Sequence, residues 1–386
     1  MTMMGSVPPL LIVLFSVPVF GDCAVETRTA PKPEMQEKLA AIRAERARIE
    51  ALLPQFVESL ALTGKPFGRF KFHRFQKQPW LLYASQQMLS LAVRHGLWDK
   101  LDQTKKQEWL DLLLSAQDPE TGLFICPVEK NQPTGYYRSI TLKMVRVLDS
   151  IDVKPRHPLP RAESVCPDLG ELPSSLEKLP WGSEAYGAGS QAGHWAMTRL
   201  NELKHETMPL QNDPYVMKIV GFLESRQNPE TGFWGTSPNL EDGMNGLLKT
   251  LAIYETLERP LPNPMRVVDS LLSLQKPDGR FGDNCSPWNA MVLLTFLHAQ
   301  TSYRSADIQF AGLKLAKTVA DRRQSDGLYS AARDGSLVVH AGVRLCQKPM
   351  PVGDIQGTSQ TLGILKMVES LFDRSESRPS KGKGQD

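Results

Sequence analysis

Gln227-Asn-Pro-Glu-Thr-Gly232-Phe-Trp234 decides how this chain is read, because it occurs four times in related form. The other copies are Gln117-Asp-Pro-Glu-Thr-Gly122-Leu-Phe124, Gln275-Lys-Pro-Asp-Gly279-Arg-Phe281 and Gln324-Ser-Asp-Gly327-Leu-Tyr329. Each ends a helical pattern, turns on glycine and resumes with an aromatic. The Pro that follows in three of them stops a helix, and Gly accepts the positive φ of a chain reversal. The acidic residues can hydrogen-bond the turn backbone. The Gln amide can tie the helix end to the turn, and the aromatic can pack over it. The glutamines stand 110, 48 and 49 residues apart, so the unit is near 50 and the first gap holds two units. One copy, between Ser150 and Pro180, has lost its signature. A period of this size marks a repeat architecture.

A second helical pattern follows each turn, clearest at Tyr136–Leu148, Asp242–Leu257, Pro287–His298 and Asp354–Phe372. Met291-Val-Leu-Leu and Phe296-Leu are apolar nearly all round, which predicts buried inner helices. Pro79–Arg94 and Tyr186–Leu203 complete six inner candidates, while Val267–Gln275 reads as an outer helix. No stretch alternates long enough to demand a sheet. The expected fold is all-α, an α/α toroid of about six helical hairpins around one core and a central cavity.

The 386 residues carry 45 Lys and Arg against 42 Asp and Glu, and the resulting +3 excludes a strongly basic nucleic-acid binder. Five cysteines are too few for a disulfide scaffold. Cys126, Cys166 and Cys346 read as buried thiols or as disulfide partners after export. Val7 to Gly21 is apolar and has the length of a signal-peptide core rather than of a bilayer span. The expected organisation is therefore a signal peptide at 1–21, a linker at 22–33, one toroid domain at 34–373 and a disordered tail at 374–386. The destination is periplasmic or extracellular, with no membrane span once the signal is removed. Cys23 just behind the apolar core offers a lipoprotein alternative, although Asp22 fits that motif poorly. Pro33 opens a helix with Leu39, Ile42, Ile49, Leu52 and Leu53 on one side, and its alternating Glu and Arg predict a solvated opposite face.

Over roughly residues 70 to 372 the Gln–Asp-Gly–aromatic repeats resemble those of the terpenoid cyclase and protein prenyltransferase toroid superfamily. The chain also resembles uncharacterised secreted bacterial proteins of that type. The resemblance implies a fold more than a reaction, because unrelated chemistries share such rings. The Asp-x-Asp-Asp of squalene-hopene cyclases, the Gly-Cys-Gly-Glu-Gln of thioester domains and the Cys-His-Gly of lanthionine cyclases are all absent. Prenyltransferase β-subunits bind zinc through Asp-x-Cys and a later His. Asp283-Asn-Cys285 matches the first part, but Gln356 stands where the His belongs, and His340 could replace it only if its loop folds inward. No cofactor is therefore expected, beyond an incomplete zinc site at Asp283 and Cys285.

In a toroid the starts of the inner helices surround one mouth of the cavity. The candidate catalytic residues there are Asp242, Asp283, Asp354 and His194. The candidate ligand-binding residues are Tyr136, Tyr137, Arg138, Trp181, Tyr186, Asn245, Trp288 and Gln356. Aromatic faces beside carboxylates and amides suit a sugar, which stacks and offers hydroxyls. Two carboxylates across a bond would make a glycosidase. A Tyr or His base with Arg, Asn or Gln would make a uronate lyase. The expected partner is a glycan or another small molecule, with an isoprenoid enzyme or a non-catalytic scaffold as alternatives. Arg138, Lys143 and Lys249 fall on inner helices as three dispersed cations. The sequence is silent on oligomeric state.

Overall fold

The computed structural model describes residues 33–77, 80–125, 134–203, 209–282, 285–340 and 343–373. The expected signal segment, the linker up to residue 32 and the tail from 374 lie outside them. The described residues fold almost wholly as helix: α1 Pro33–Leu60, α2 Leu82–Arg94, α3 Gln103–Ser115, α4 Thr134–Asp149, α5 Ala162–Val165, α6 Leu172–Glu177, α7 Ala185–Leu203, α8 Pro214–Ser225, α9 Leu240–Thr256, α10 Pro264–Ser273, α11 Ser286–Gln300, α12 Ser305–Ala320 and α13 Ile355–Ser370. The strands among them are β1 Val339–His340 and β2 Val343–Arg344, paired antiparallel. No helix among the described residues is long and apolar enough to cross a membrane.

The repeat turns form as their residues dictate. Gly122, Gly232, Gly279 and Gly327 have φ between 70° and 90°. Asp118 and Asn228 accept from the backbone N–H groups two and three residues on, so the acceptor is the residue next to Gln and not the later Glu. The Gln amide reaches further than its own turn. Gln227 Nε2 donates to Gly232 O at 2.8 Å and to Pro262 O at 2.7 Å. Gln117 does the same to Gly122 O and His157 O, and Gln275 to Gly279 O and Ala311 O. Each of these glutamines thus joins its turn to a later segment of chain. Gln324 departs from the pattern and donates to Arg322 O. The aromatics Phe124, Trp234, Phe281 and Tyr329 are buried. Three of them are held by a hydroxyl on the following helix: Phe124 N by Thr141, Trp234 Nε1 by Thr250 and Tyr329 N by Thr358.

Six helices, of which α4, α9, α11 and α13 follow these turns, touch one another in sequence order. Contacts run α2 to α4, α4 to α7, α7 to α9, α9 to α11, α11 to α13, and from α13 back to α2. α3, α8, α10 and α12 each touch one or more of the six. α11 is buried on nearly every side, as its unbroken apolar pattern predicts. The tightest pair is α7 with α9. A Cβ on Gly189 would overlap Gly246 O, one on Gly193 would overlap Lys249 O, and one on Gly246 would overlap Ala185 O. The contact points advance together along both helices, so the two run parallel with their backbones in direct touch.

The charged face of α1 is not simply solvated. Arg46 Nε donates to Glu369 of α13 at 2.7 Å, and Arg48 Nη2 donates to Gly327 O at 2.8 Å. Glu45 accepts from Tyr329 as well as from Arg48. These ends of the Arg and Glu side chains dock α1 on α13 and the last repeat turn, while Leu39, Ile42, Ile49 and Leu53 are buried beneath.

Candidate functional site

Of the carboxylates expected to do chemistry, Asp242 and Asp354 are spent mainly on backbone N–H groups. Asp242 lies in the first turn of α9, and its Oδ2 and Oδ1 accept from Ala185 N at 2.6 Å and Tyr186 N at 3.1 Å. It therefore caps α7 from the neighbouring helix. Its neighbour Glu241 accepts from Ser286 Oγ at 2.6 Å and so reaches α11. Asp354 is fully buried at the start of α13. Its Oδ1 accepts from Gly357 N at 2.7 Å, and its Oδ2 gathers Ser330 Oγ, Ala331 N and Leu337 N. Burial pushes its carboxyl up to about 6 against those hydrogen bonds. Asp242 and Asp354 thus sit in separate capping networks, and Asp283 lies outside the described residues.

Several expected ligand residues are likewise part of the packing. Trp181 is buried and its Nε1 donates to Leu176 O at 2.8 Å. Tyr136 and Tyr137 meet edge to face, with Tyr137 buried. Trp288 is half-buried, and its ring occupies the space a Cβ on Gly363 of α13 would take. Asn245 links α9 to α11 by accepting from Asn289 Nδ2 at 2.7 Å. Gln356 keeps a buried Oε1 with no partner. Tyr186 stays exposed, and Lys249 Nζ lies 4.6 Å from its ring centroid.

For the zinc reading, Cys285 is a free, half-buried thiol just before α11. His340 does turn inward: its ring stacks on Phe72 at 4.7 Å and lies 4.3 Å from Tyr83. Burial, then Lys143, push its imidazole down to about 3. Among the described residues no group of three or more His, Cys, Asp or Glu is placed to hold a metal. Cys166 and Cys346 are free thiols, and Cys126 lies outside the described residues.

What the fold does bring together is basic. His194 stands mid-way along α7, where burial pushes its imidazole down to about 4; Lys249 of α9 and Arg138 and Lys143 of α4 act on it in the same direction. Its ring has no hydrogen-bond partner among the described residues. Lys143 Nζ donates to Tyr83 OH at 2.8 Å and lies 4.5 Å from that ring. Gln87 Nε2 adds a second donor to the same oxygen at 3.0 Å. In the orientation that satisfies its amide, Gln191 accepts from Trp195 Nε1 and Arg138 Nη1. Arg138 Nε, Gln87 Oε1 and His340 Nε2 remain buried without partners. Among the described residues no carboxylate pairs with Arg138, Lys143 or Lys249. Their situation contrasts with an outer concavity of about 380 Å³, where Arg280 and Arg323 pair with Asp278 and Glu45.

The sequence places these three cations on separate helices and reads them as dispersed. Their spacing along the chain does not show that α4 and α9 flank α7 so closely. The available signal was a polar set, Gln191 and His194, on one side of an Ala- and Gly-rich helix. Gln87 and Tyr83 carried no such signal.

No family model matches this chain, and no curated protein matches it. Among solved structures it is similar to the crystal structure of a protein from Actinoplanes, at 11% identity and a TM-score of 0.48, over 84% of this chain and 99% of that one.

Proposed function

We propose that the six-helix contact circuit is an α/α toroid and that its interior binds a glycan. The return of the contacts from α13 to α2 supports the ring. The observation that carries the ligand site is the set of buried polar atoms left without partners on helices of that circuit. Gln87 Oε1 on α2, Arg138 Nε on α4 and Gln356 Oε1 on α13 belong to it. Such atoms cost roughly 1–3 kcal/mol each when unsatisfied, and hydroxyl groups of a ligand would supply what they lack. The exposed Tyr186 adds a face on which a sugar ring can stack. An isoprenoid enzyme would instead need an apolar lining, which Gln87, Gln191, Lys143 and Lys249 do not provide. Export belongs to the same reading and rests on the apolar run Val7 to Gly21.

A turnover screen tests it. The chain from Asp22 is incubated with neutral and acidic polysaccharides, and new reducing ends and unsaturated ends are followed in parallel. Reducing ends alone make it a hydrolase, and unsaturated ends make it a lyase. A folded sample that neither turns over nor binds any glycan sinks the reading.

A further inference from the structure

We infer that the cluster around His194 is the subsite for an anionic group and that the glycan it takes is acidic, a uronate or similarly charged oligosaccharide. The inference rests on the glycan reading above and names its substrate class. Arg138 of α4 donates to Gln191 of α7, the backbone of Lys249 of α9 abuts Gly193 of α7, and Lys143 of α4 is held at Tyr83, so three positive charges converge beside His194. Ordinary structural cations find carboxylates, as Arg199 does with Asp213 at 2.9 Å and Arg259 with Glu224 at 2.8 Å. The three at His194 have none among the described residues. Like charges held together repel unless an anion joins them. The donors are still available: Lys143 commits one N–H to Tyr83 and keeps two, and Arg138 Nε is unused.

The basic character also extends beyond one anion's reach. Arg146 continues the face of α4 one turn past Lys143, and Arg94 of α2 lies close enough that burial and then the Arg146 charge disfavour its own. Glu255 of α9 is the carboxylate that acts on Arg146. From Arg138 to Arg146 the helix rises ~12 Å. A row of cations of that length matches repeated charges on an oligomer better than one phosphate.

The test is a calorimetric titration of the full chain with an oligogalacturonate, a neutral cello-oligosaccharide of equal length, and inorganic pyrophosphate. Lys249→Gln and Lys249→Arg are titrated beside the wild type, with thermal unfolding showing that each folds. The expected result is preferential binding of the oligogalacturonate, weakened about tenfold or more by Lys249→Gln and largely restored by Lys249→Arg. Binding of the neutral oligosaccharide should not respond to either variant. Equal affinity for the neutral and acidic sugars, unchanged in Lys249→Gln, would overturn the acidic assignment and leave the glycan reading standing. Pyrophosphate bound in preference to every sugar would overturn both.

Discussion

Asp242 Oδ2 sits 2.6 Å from the amide nitrogen of Ala185, so the first turn of α9 supplies the N-terminal cap of α7. A cap lent by a neighbouring helix fixes register as well as satisfying orphan N–H groups. Asp242→Ala should therefore cost about 1–2 kcal/mol of stability, read as a lower urea midpoint with an unchanged slope. A variant as stable as wild type that has lost turnover would instead restore Asp242 as a reacting carboxylate.

The same pair of helices makes a steric prediction. Gly246→Ala places a Cβ on Ala185 O, and both atoms belong to helices whose backbones already touch. Overpacking of this kind typically costs 1–3 kcal/mol or more, because neither backbone can move alone. Gly221 in α8 meets nothing within 4 Å and serves as control. Gly221→Ala should raise stability by roughly 0.5–1 kcal/mol through helix propensity. Equal effects in the two variants, measured by thermal unfolding, would mean that the α7–α9 contact is looser than described.

The repeat glutamines can be separated by what they reach. Gln227→Ala removes donors to Gly232 O and Pro262 O together with the acceptor for Asn263 Nδ2 at 2.6 Å. Gln324 donates only locally, to Arg322 O. At roughly 0.5–1.5 kcal/mol for each net hydrogen bond, Gln227→Ala should destabilise by about 1.5–4.5 kcal/mol and Gln324→Ala by about 0.5–1.5 kcal/mol. The denaturant midpoints of the two variants decide this directly.

Much of the helical order was legible because its signals are local. The Gln–Gly–aromatic turns and the apolar patterns place α4, α7, α9, α10, α11 and α13 to within a few residues of their observed ends. What could not be read was which side chains one element lends to another. Asp242 has the sequence of a cap for its own helix, yet it caps α7. Arg46 belongs to a run that looks solvated, yet it reaches Glu369 more than 300 residues away. The grouping of Arg138, Lys143 and Lys249 about His194 has the same cause, since it depends on the close α7–α9 approach and not on any spacing along the chain.

Asp354 gives a pH prediction with a definite sign. Its ordinary carboxyl value of 3.8 rises to about 6 in the fold, chiefly through burial. Between those values the folded chain holds more proton than the unfolded one, so this group's contribution to stability is full at acid pH and is lost as pH rises to about 6. His194 and His340 act oppositely: their imidazoles fall from 6.5 to about 4 and about 3, so their contribution is lost as pH drops. The wild-type profile therefore mixes both signs, and a difference isolates Asp354. Relative to Asp354→Asn, wild type should lose roughly 2 kcal/mol between pH 4 and pH 7. Parallel profiles for the two proteins would mean that the carboxyl is not buried as described.

The basic cluster can be tested without any ligand. Burial is the largest cause of the lowering at His194, and Lys249 heads the charges that add to it. Lys249→Gln removes one charge and leaves the burial, so the imidazole should titrate above about 4 but still below 6.5. Arg138→Gln should raise it as well, by the same mechanism from α4. Histidine side-chain resonances followed by NMR through an acid titration give the value in each protein, with His194→Gln identifying the signal. A His194 that titrates near 6.5 in wild type would remove the burial. One unmoved by either substitution would place the cations too far away to act on a shared ligand.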